Sequence, residues 1–76
     1  MKEQLQTIIE AIVLTPNEVS IEEKQEAETI VFEVKVAESD MGKVIGREGR
    51  VAKAIRTVMR SIATKEGHKV SIEFIG

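Results

Sequence analysis

Two glycines, Gly46 and Gly49, interrupt a segment that is otherwise built from good helix formers. A glycine inside a helix costs about 1 kcal/mol relative to alanine, so the pair predicts a break between a short helix and a long one. The chain has five glycines in all, and this pair encloses only Arg47 and Glu48. Such spacing predicts either an ordinary turn or a backbone that another molecule approaches closely.

Apolar periodicity predicts one helix and two strands before the glycine pair. Residues at helical spacing mark a helix over 2–14, and Thr15-Pro16-Asn17 ends it because proline disfavours helical geometry in its predecessor. Alternation of apolar and polar residues predicts a strand over 19–26 and another over 30–36. Ala27-Glu28 between them is not a favoured turn pair, so we expect a slightly longer hairpin loop.

The second half of the chain predicts two helices and a last strand. Ser39 or Asp40 can cap a short helix that runs through Ile45. Beyond the glycine pair, a long helix ends near Gly67, and residues 70–74 alternate as a strand. The apolar stripe of the long helix either meets the sheet entirely or packs in part against another copy; it comprises Val51, Ala54, Ile55, Val58 and Ile62, widened by Met59 and Ala63.

The element order α-β-β-α-α-β predicts a two-layer α+β fold. The first two strands form an antiparallel hairpin, and two helices connect the second strand to the third, which is long enough for a parallel, right-handed crossover. Three helices then cover one face of a three-stranded mixed sheet, and residues 1–76 are expected to form one domain. Residues that tolerate water are expected on the other face: Glu22, Lys24, Glu33, Lys35, Ser71 and Glu73.

Charge is divided unevenly along the chain. Residues 1–40 carry three lysines and ten acids, a net charge of −7, whereas residues 41–76 carry eight basic residues and three acids, a net of +5. The basic residues cluster with Glu48 as the one acid among them: Lys43, Arg47, Arg50, Lys53, Arg56 and Arg60. This patch fits either a phosphate-bearing partner or a solvated helix face.

Several function classes are not supported by the residues present. The chain has no cysteine and one histidine, His68, in a turn, so we expect no zinc site, no other metal and no cofactor. No set of nucleophile, base and orienting group can be assembled, so we do not expect an enzyme. The glycine spacing matches neither a Walker A loop nor a dinucleotide fingerprint. Without a signal peptide or membrane span, a cytoplasmic protein with no membrane partner is expected.

The glycine pair is suited to a phosphate-bearing strand. Two glycines around two exposed residues leave backbone amides uncovered, and a Cβ at either glycine is expected to obstruct a sugar-phosphate chain. The long helix begins near Gly49, so its unpaired amides face the same place. Lys43, Arg47 and Arg50 add positive charge.

The motif and the element order together resemble a known family. Ile45-Gly46-Arg47-Glu48-Gly49 matches I-G-x-x-G between two helices, which is similar to the K homology (KH) domain in its type II arrangement. Over residues 1–76 the chain resembles the small stand-alone bacterial KH proteins. The resemblance implies binding of about four nucleotides of single-stranded RNA, with single-stranded DNA as an open alternative.

The resemblance also implies which residues would line the groove. One wall would come from the short helix, the loop and the start of the long helix, and the other from the last strand. The implied RNA-binding residues are Lys43, Val44, Ile45, Gly46, Arg47, Glu48, Gly49, Arg50 and Lys53, with Lys69, Val70 and Ser71 on the strand. Glu48 is the exception, because a carboxylate should repel phosphate unless it is offset or turned away.

The family resemblance further implies partners and a cellular role. It implies a homodimer, a heterodimer with a KH protein of the KhpB (EloR/Jag) type, or both. It implies an RNA chaperone or post-transcriptional regulator linked to bacterial cell elongation or division. The alternative is a protein-interaction module that retains the fold while Glu48 weakens or abolishes RNA binding.

Overall fold

The expected order of helices and strands is confirmed in the computed structural model, which describes residues 1–75. No helix in this part of the chain is both long enough and apolar enough to cross a membrane. The main elements are α1 (Lys2–Ile12), β1 (Ser20–Glu26), β2 (Thr29–Lys35), α2 (Met41–Ile45), α3 (Arg50–Lys65) and β3 (Lys69–Ile75); single 3-10 turns cover Pro16–Glu18, Glu38–Asp40 and Arg47–Gly49.

The sheet is three-stranded and mixed, as the crossover length predicts. Its order is β1-β2-β3, with β1 antiparallel and β3 parallel to β2. Phe32 is aligned with Ile72 in β3, and both are buried beneath the helices. The helical side of the sheet joins α1 through Leu5 and Ile9, and α3 through Met59, in one apolar core.

The hairpin loop is shorter than the sequence predicts. Glu26 pairs directly with Thr29, so Ala27 and Glu28 alone connect the strands, and the expectation of a longer loop is wrong. Ala27 makes the tight turn by adopting a positive φ of 55°, which costs a non-glycine residue roughly 1 kcal/mol. The Gln25 side-chain amide donates a hydrogen bond of 3.0 Å to the Ala27 carbonyl and so supports this turn.

The first helix ends two residues before the predicted boundary. Val13 already has extended geometry and is buried, so the chain leaves the helix ahead of Pro16. The next two backbone amides then need acceptors outside the helix. Leu14 N–H and Thr15 N–H donate to the two carboxylate oxygens of Asp40, at 3.2 and 3.0 Å.

Asp40 therefore does not cap α2 as the sequence predicts. It occupies the N-cap position, but its side chain makes no capping hydrogen bond. The carboxylate is only 1% exposed and uses both oxygens on the chain segment that follows α1. This interaction fastens the α1–β1 connection to the start of α2, across 25 residues of sequence.

The long helix turns a different side to the sheet from the predicted stripe. Its buried residues are Ala52, Ile55, Met59 and Ala63, whereas Val58 is 46% exposed and Ala54 is also exposed. Two alanines on the buried side let the helix axis lie close to the strands. The larger part of the predicted stripe consequently faces α1 and solvent.

The outer face of the sheet is mostly polar, as expected, except for the buried Val31, and its charges are arranged in rows. Glu22, Glu33 and Glu73 lie side by side across the three strands, an arrangement in which like charges repel. The Lys24 ammonium lies 3.0 Å from the Glu33 carboxylate and offsets part of this repulsion. The hydrogen bond and charge of Glu33 raise the pKa of Lys24 above its usual value.

The Asp40 interaction predicts a marked loss of stability on truncation. Asp40→Ala leaves two partly buried amides without an acceptor, and we expect it to lower the free energy of unfolding by about 2–4 kcal/mol. Asp40→Asn retains one acceptor oxygen and should lose about half as much. Urea unfolding measures both, with Ser39→Ala at the exposed neighbouring position as the control. Equal effects of Asp40→Ala and Ser39→Ala would contradict this account.

Candidate nucleic-acid interface

The loop between α2 and α3 has a positive φ at three of its four residues. Gly46 has φ 77° and ψ 174°, a region that is essentially restricted to glycine. Glu48 (φ 58°) and Gly49 (φ 74°) are left-handed, and the Gly49 amide donates to the Gly46 carbonyl at 3.2 Å. The result is a single tight turn that leads directly into α3.

Gly46 is required by the fold itself. A Cβ at this position would lie 2.4 Å from Val51 Cγ2 and 2.8 Å from the Val51 backbone nitrogen. We expected a Cβ at this position to obstruct a ligand. In the structure it would first collide with Val51 in the first turn of α3. Close packing of Gly46 on Val51 sets how α2 approaches α3.

Gly49 differs from Gly46 because the space beside it is open. A Cβ built on Gly49 meets no atom within 4 Å, so only its positive φ of 74° favours glycine there. The first amides of α3 follow immediately, and Gly49 itself offers no side-chain cap to them. The space beside Gly49 is thus open at the positive end of a four-turn helix, although the Gly49 and Arg50 amides already donate to the Gly46 and Arg47 carbonyls.

The charges around the loop are exposed and mostly free. Arg50 Nη2 lies 3.8 Å from Glu48 Oε2, with both side chains about three-quarters exposed, so this pair is weak. Glu48 makes no capping bond to α3. Within residues 1–75, the exposed side chains of Lys43, Arg47 and Lys53 form no ion pair with a carboxylate. The charges around the loop are therefore positive in sum, and Glu48 partly neutralises Arg50 alone.

The two apolar residues before the loop have different positions. Val44 is fully buried in the core, so it supports the loop from beneath and offers no surface to a ligand, unlike the groove-wall position that the resemblance implies. Ile45 is half-buried and packs against the edge of the core. Ile45 is thus the aliphatic surface next to Gly46.

The strand residues proposed for the second wall lie farther along α3. Val70 and Ser71 line a cavity of about 120 Å³ together with Arg56, Arg60 and Ile72. Lys69 lies near the other end of α3, because the His68 amide donates to the Ala63 carbonyl at 2.8 Å. The structure therefore groups Lys43–Arg50 at one end of α3, whereas Val70 and Ser71 lie beside Arg56 and Arg60, about 9–15 Å along the helix.

Arg56 is held in place between the two groups. Its Nε donates a hydrogen bond of 3.3 Å to the Ile72 carbonyl, and its guanidinium lies 5.3 Å from the centre of the Phe74 ring. In the sequence, Arg56 continues the basic face of the helix, but nothing there shows a contact with a strand carbonyl. Arg56 is thus a candidate site residue that the sequence-based list lacks.

A separate apolar surface runs between α1 and α3, and we call it the α1–α3 trough. One part has a volume of about 550 Å³ and includes Arg50 and Val58; the adjoining part, about 540 Å³, includes Glu3 and Ile62. Ile8 belongs to both parts. The exposed portion of the predicted α3 stripe forms one side of this trough.

This chain resembles known proteins over nearly its whole length. The family model described as "KhpA/KhpB, KH domain" matches residues 2–74. The chain belongs to the KhpA/KhpB family of KH domains. The resemblance predicted from Ile45–Gly49 and the element order is therefore confirmed.

Relatives within this family cover almost the whole chain. RNA-binding protein KhpA of Clostridium acetobutylicum is 49% identical over 75 residues, 99% of this chain and 100% of the relative. The proteins of that name from Chlamydia trachomatis and Listeria monocytogenes are 47% and 35% identical, each again over 99% of this chain, and over 96% and 99% of their own lengths. All three relatives are named as RNA-binding proteins and not as enzymes.

One solved structure shares the fold of this KH domain. A crystal structure of an Aquifex aeolicus Era variant bound to GDP and aluminium fluoride aligns with a TM-score of 0.65 over 95% of this chain and 28% of the Era chain. The sequence identity is 19%, so the likeness concerns the fold alone.

The two loop glycines predict different responses to alanine. Gly49→Ala pays only for its left-handed backbone, about 1 kcal/mol. Gly46→Ala adds overlap with Val51, and we expect a total loss of about 3 kcal/mol or more in the free energy of unfolding. Gly67→Ala is the matched control, because Gly67 also has φ 77° and open space around its Cβ. Urea unfolding that ranks Gly46→Ala with Gly67→Ala would disprove the packing role.

Proposed function

We propose that this KH domain binds single-stranded RNA at the Gly46–Gly49 loop, as an RNA chaperone or post-transcriptional regulator. The observation that carries the proposal is the open space beside Gly49 at the start of α3, where the exposed side chains of Lys43, Arg47 and Lys53 form no ion pair within residues 1–75. The relatives named RNA-binding protein KhpA support the same ligand class. Single-stranded DNA offers the same phosphates and is a second expected ligand.

The length of the surface suits a short segment of RNA. From Arg50 to Arg60 the helix rises about 15 Å, and four nucleotides that stay stacked as in a duplex strand, at about 3.4 Å each, span about 14 Å. We propose that the first phosphate of the RNA lies at the loop and that the RNA runs along α3 toward Val70 and Ser71 of β3. Lys69 would meet only a longer ligand.

The apolar residues available indicate modest affinity. Phe32 is fully buried, and Phe74 is covered by the Arg56 guanidinium, so neither offers an open ring for base stacking. Bases would instead rest on aliphatic surface near Ile45 and reach backbone groups of β3. Specificity would then depend on a few polar contacts, among which the fixed guanidinium of Arg56 is the foremost.

Gly49 offers a test that leaves the core unchanged. Gly49→Asp places a carboxylate beside the proposed phosphate path, whereas Gly49→Asn has the same shape without the charge. Both residue types tolerate the left-handed backbone relatively well, so both variants should fold. We expect Asp to weaken binding of a mixed-sequence eight-nucleotide RNA at least about tenfold more than Asn does, measured by fluorescence anisotropy.

Salt dependence provides the check on this result. With three to four cations at phosphates, the slope of log K against log salt should be about −2 to −3. A slope near zero, or equal affinity of the Asp and Asn variants, would contradict RNA binding at this loop. Retained capture of a protein partner in that case would favour the alternative of a protein-interaction module.

We further propose that a second copy of the chain docks in the α1–α3 trough. Val58 protrudes beside the apolar floor that Ile8 and Ile12 help to form. In a two-fold symmetric dimer, each copy can therefore insert its Val58 side chain into the trough of the other. The trough has Glu3 at one end and Arg50 at the other. A two-fold axis through its middle brings each Glu3 opposite the Arg50 of the second copy.

Charge at the trough centre should prevent this association. We expect Val58→Glu to convert a dimer into a monomer in sedimentation velocity, because the carboxylate would be buried against Ile8 of the other copy. Thr57→Glu, one residue away on the exposed side of α3, carries the same charge and should remain dimeric. A monomeric wild-type chain at millimolar concentration would overturn the homodimer.

A KH protein of the KhpB (EloR/Jag) type is the other outcome of this test. Such a protein would bind the wild-type trough, and Val58→Glu would abolish that binding as well. An RNA ligand would place the activity in the cytoplasm. The link to cell elongation or division implied by the family resemblance stays a prediction, to be tested by depletion of the protein.

A further inference from the structure

Two neighbouring residues in the first turn of α3 belong to both of the proposed surfaces. Arg50 lines the α1–α3 trough and also lies 3.8 Å from Glu48 in the glycine loop. Val51 lines the trough and is the residue on which Gly46 packs. The loop and the trough are thus separated by the thickness of one helical turn.

We propose that a second copy in the trough and RNA at the glycine loop compete for Arg50, so that each ligand weakens the other. This inference rests on the proposed function, because it requires both RNA binding at the loop and docking of a second copy. It adds a regulatory relation: dimerisation lowers RNA affinity, and RNA shifts the chain toward the monomer.

The sign of the coupling follows from the charges. In the isolated chain the Arg50 guanidinium is exposed, and only the weak contact with Glu48 draws it from a phosphate. In the dimer, Arg50 faces Glu3 of the second copy and is partly covered by the apolar rim. Its attraction for phosphate falls, and Glu48 loses the cation that offsets it. Both changes make the loop less favourable for a polyanion.

Val51 provides a mechanical reason why the loop cannot avoid this effect. Gly46 has no free space toward Val51, so a small displacement of the first turn of α3 must be followed by the loop backbone. A partner that presses on the trough side of Val51 therefore also acts on Gly46. Because linkage is reciprocal, the factor by which dimerisation weakens RNA binding equals the factor by which RNA weakens the dimer.

The experiment measures the dimer dissociation constant by sedimentation equilibrium, with and without a saturating six-nucleotide RNA that is too short to join two loops. We expect RNA to raise this constant about three- to tenfold. In parallel, calorimetry should give a tighter RNA affinity for monomeric Val58→Glu than for the wild-type dimer, by a similar factor. Glu3→Gln leaves Arg50 unpaired in the dimer, so with this variant only the smaller part transmitted through Val51 should remain, an effect of RNA below about twofold.

Each other outcome overturns the proposal in a recognisable way. An unchanged dimer constant in the presence of bound RNA contradicts competition while leaving both surfaces in place. A full effect in Glu3→Gln contradicts the role of Arg50 pairing. Loss of RNA binding in Val58→Glu would show that RNA requires the dimer, which is the opposite coupling, whereas equal RNA affinity of Gly49→Asp and Gly49→Asn would show that the RNA site itself is wrong. A wild-type monomer at all concentrations would show that the trough is not a dimer surface.

Discussion

The contact between Gly46 and Val51 is the constraint on which the candidate site depends. Gly46 combines a backbone conformation restricted to glycine with a Cβ position that α3 already fills. Because Gly46 has no side chain, its backbone lies close to Val51, and the five-residue α2 can end and α3 begin within a single turn. Gly49, three residues later, has open space where a Cβ would lie. The motif therefore has one structural glycine and one surface glycine, although the sequence spacing gives them equal standing.

Asp40 secures the other end of the same short helix. With only Met41–Ile45 in helical geometry, α2 has too few hydrogen bonds to be stable alone. The buried carboxylate connects its start to the Leu14 and Thr15 amides, and Val44 anchors its middle in the core. The segment after α1 and the glycine loop are thus joined to the two ends of the same short helix. Any change in the α1–α3 trough acts close to the backbone that would meet RNA.

Local signals predict the architecture, whereas the interactions between distant segments could not be predicted. Alternation over Ile30–Val36 identifies the central strand because only one register buries its apolar side, and the glycine spacing identifies the loop. The hydrogen bonds of Asp40 could not be predicted from the sequence, because a short polar residue before a helix is normally a cap. The amides that Asp40 accepts from lie about 25 residues earlier in the chain. The buried side of α3 was misjudged for a related reason. Its apolar residues cover two adjacent sectors, and only the sheet decides that Met59, and not Val58, faces inward.

The basic residues of α2, the loop and α3 have three separate roles and do not act as one charged surface. Arg56 is bound to the Ile72 carbonyl and to the Phe74 ring, so it is ordered and partly withdrawn from phosphate. Arg50 stands between Glu48 and the trough, and its availability depends on what occupies each side. Lys43, Arg47 and Lys53 form no such contacts within the described part of the chain, so in the proposed complex they would supply most of the attraction for phosphate. A net charge of −2 is therefore compatible with a polyanionic ligand, because the local arrangement of these few cations, and not the total, determines the field at Gly49.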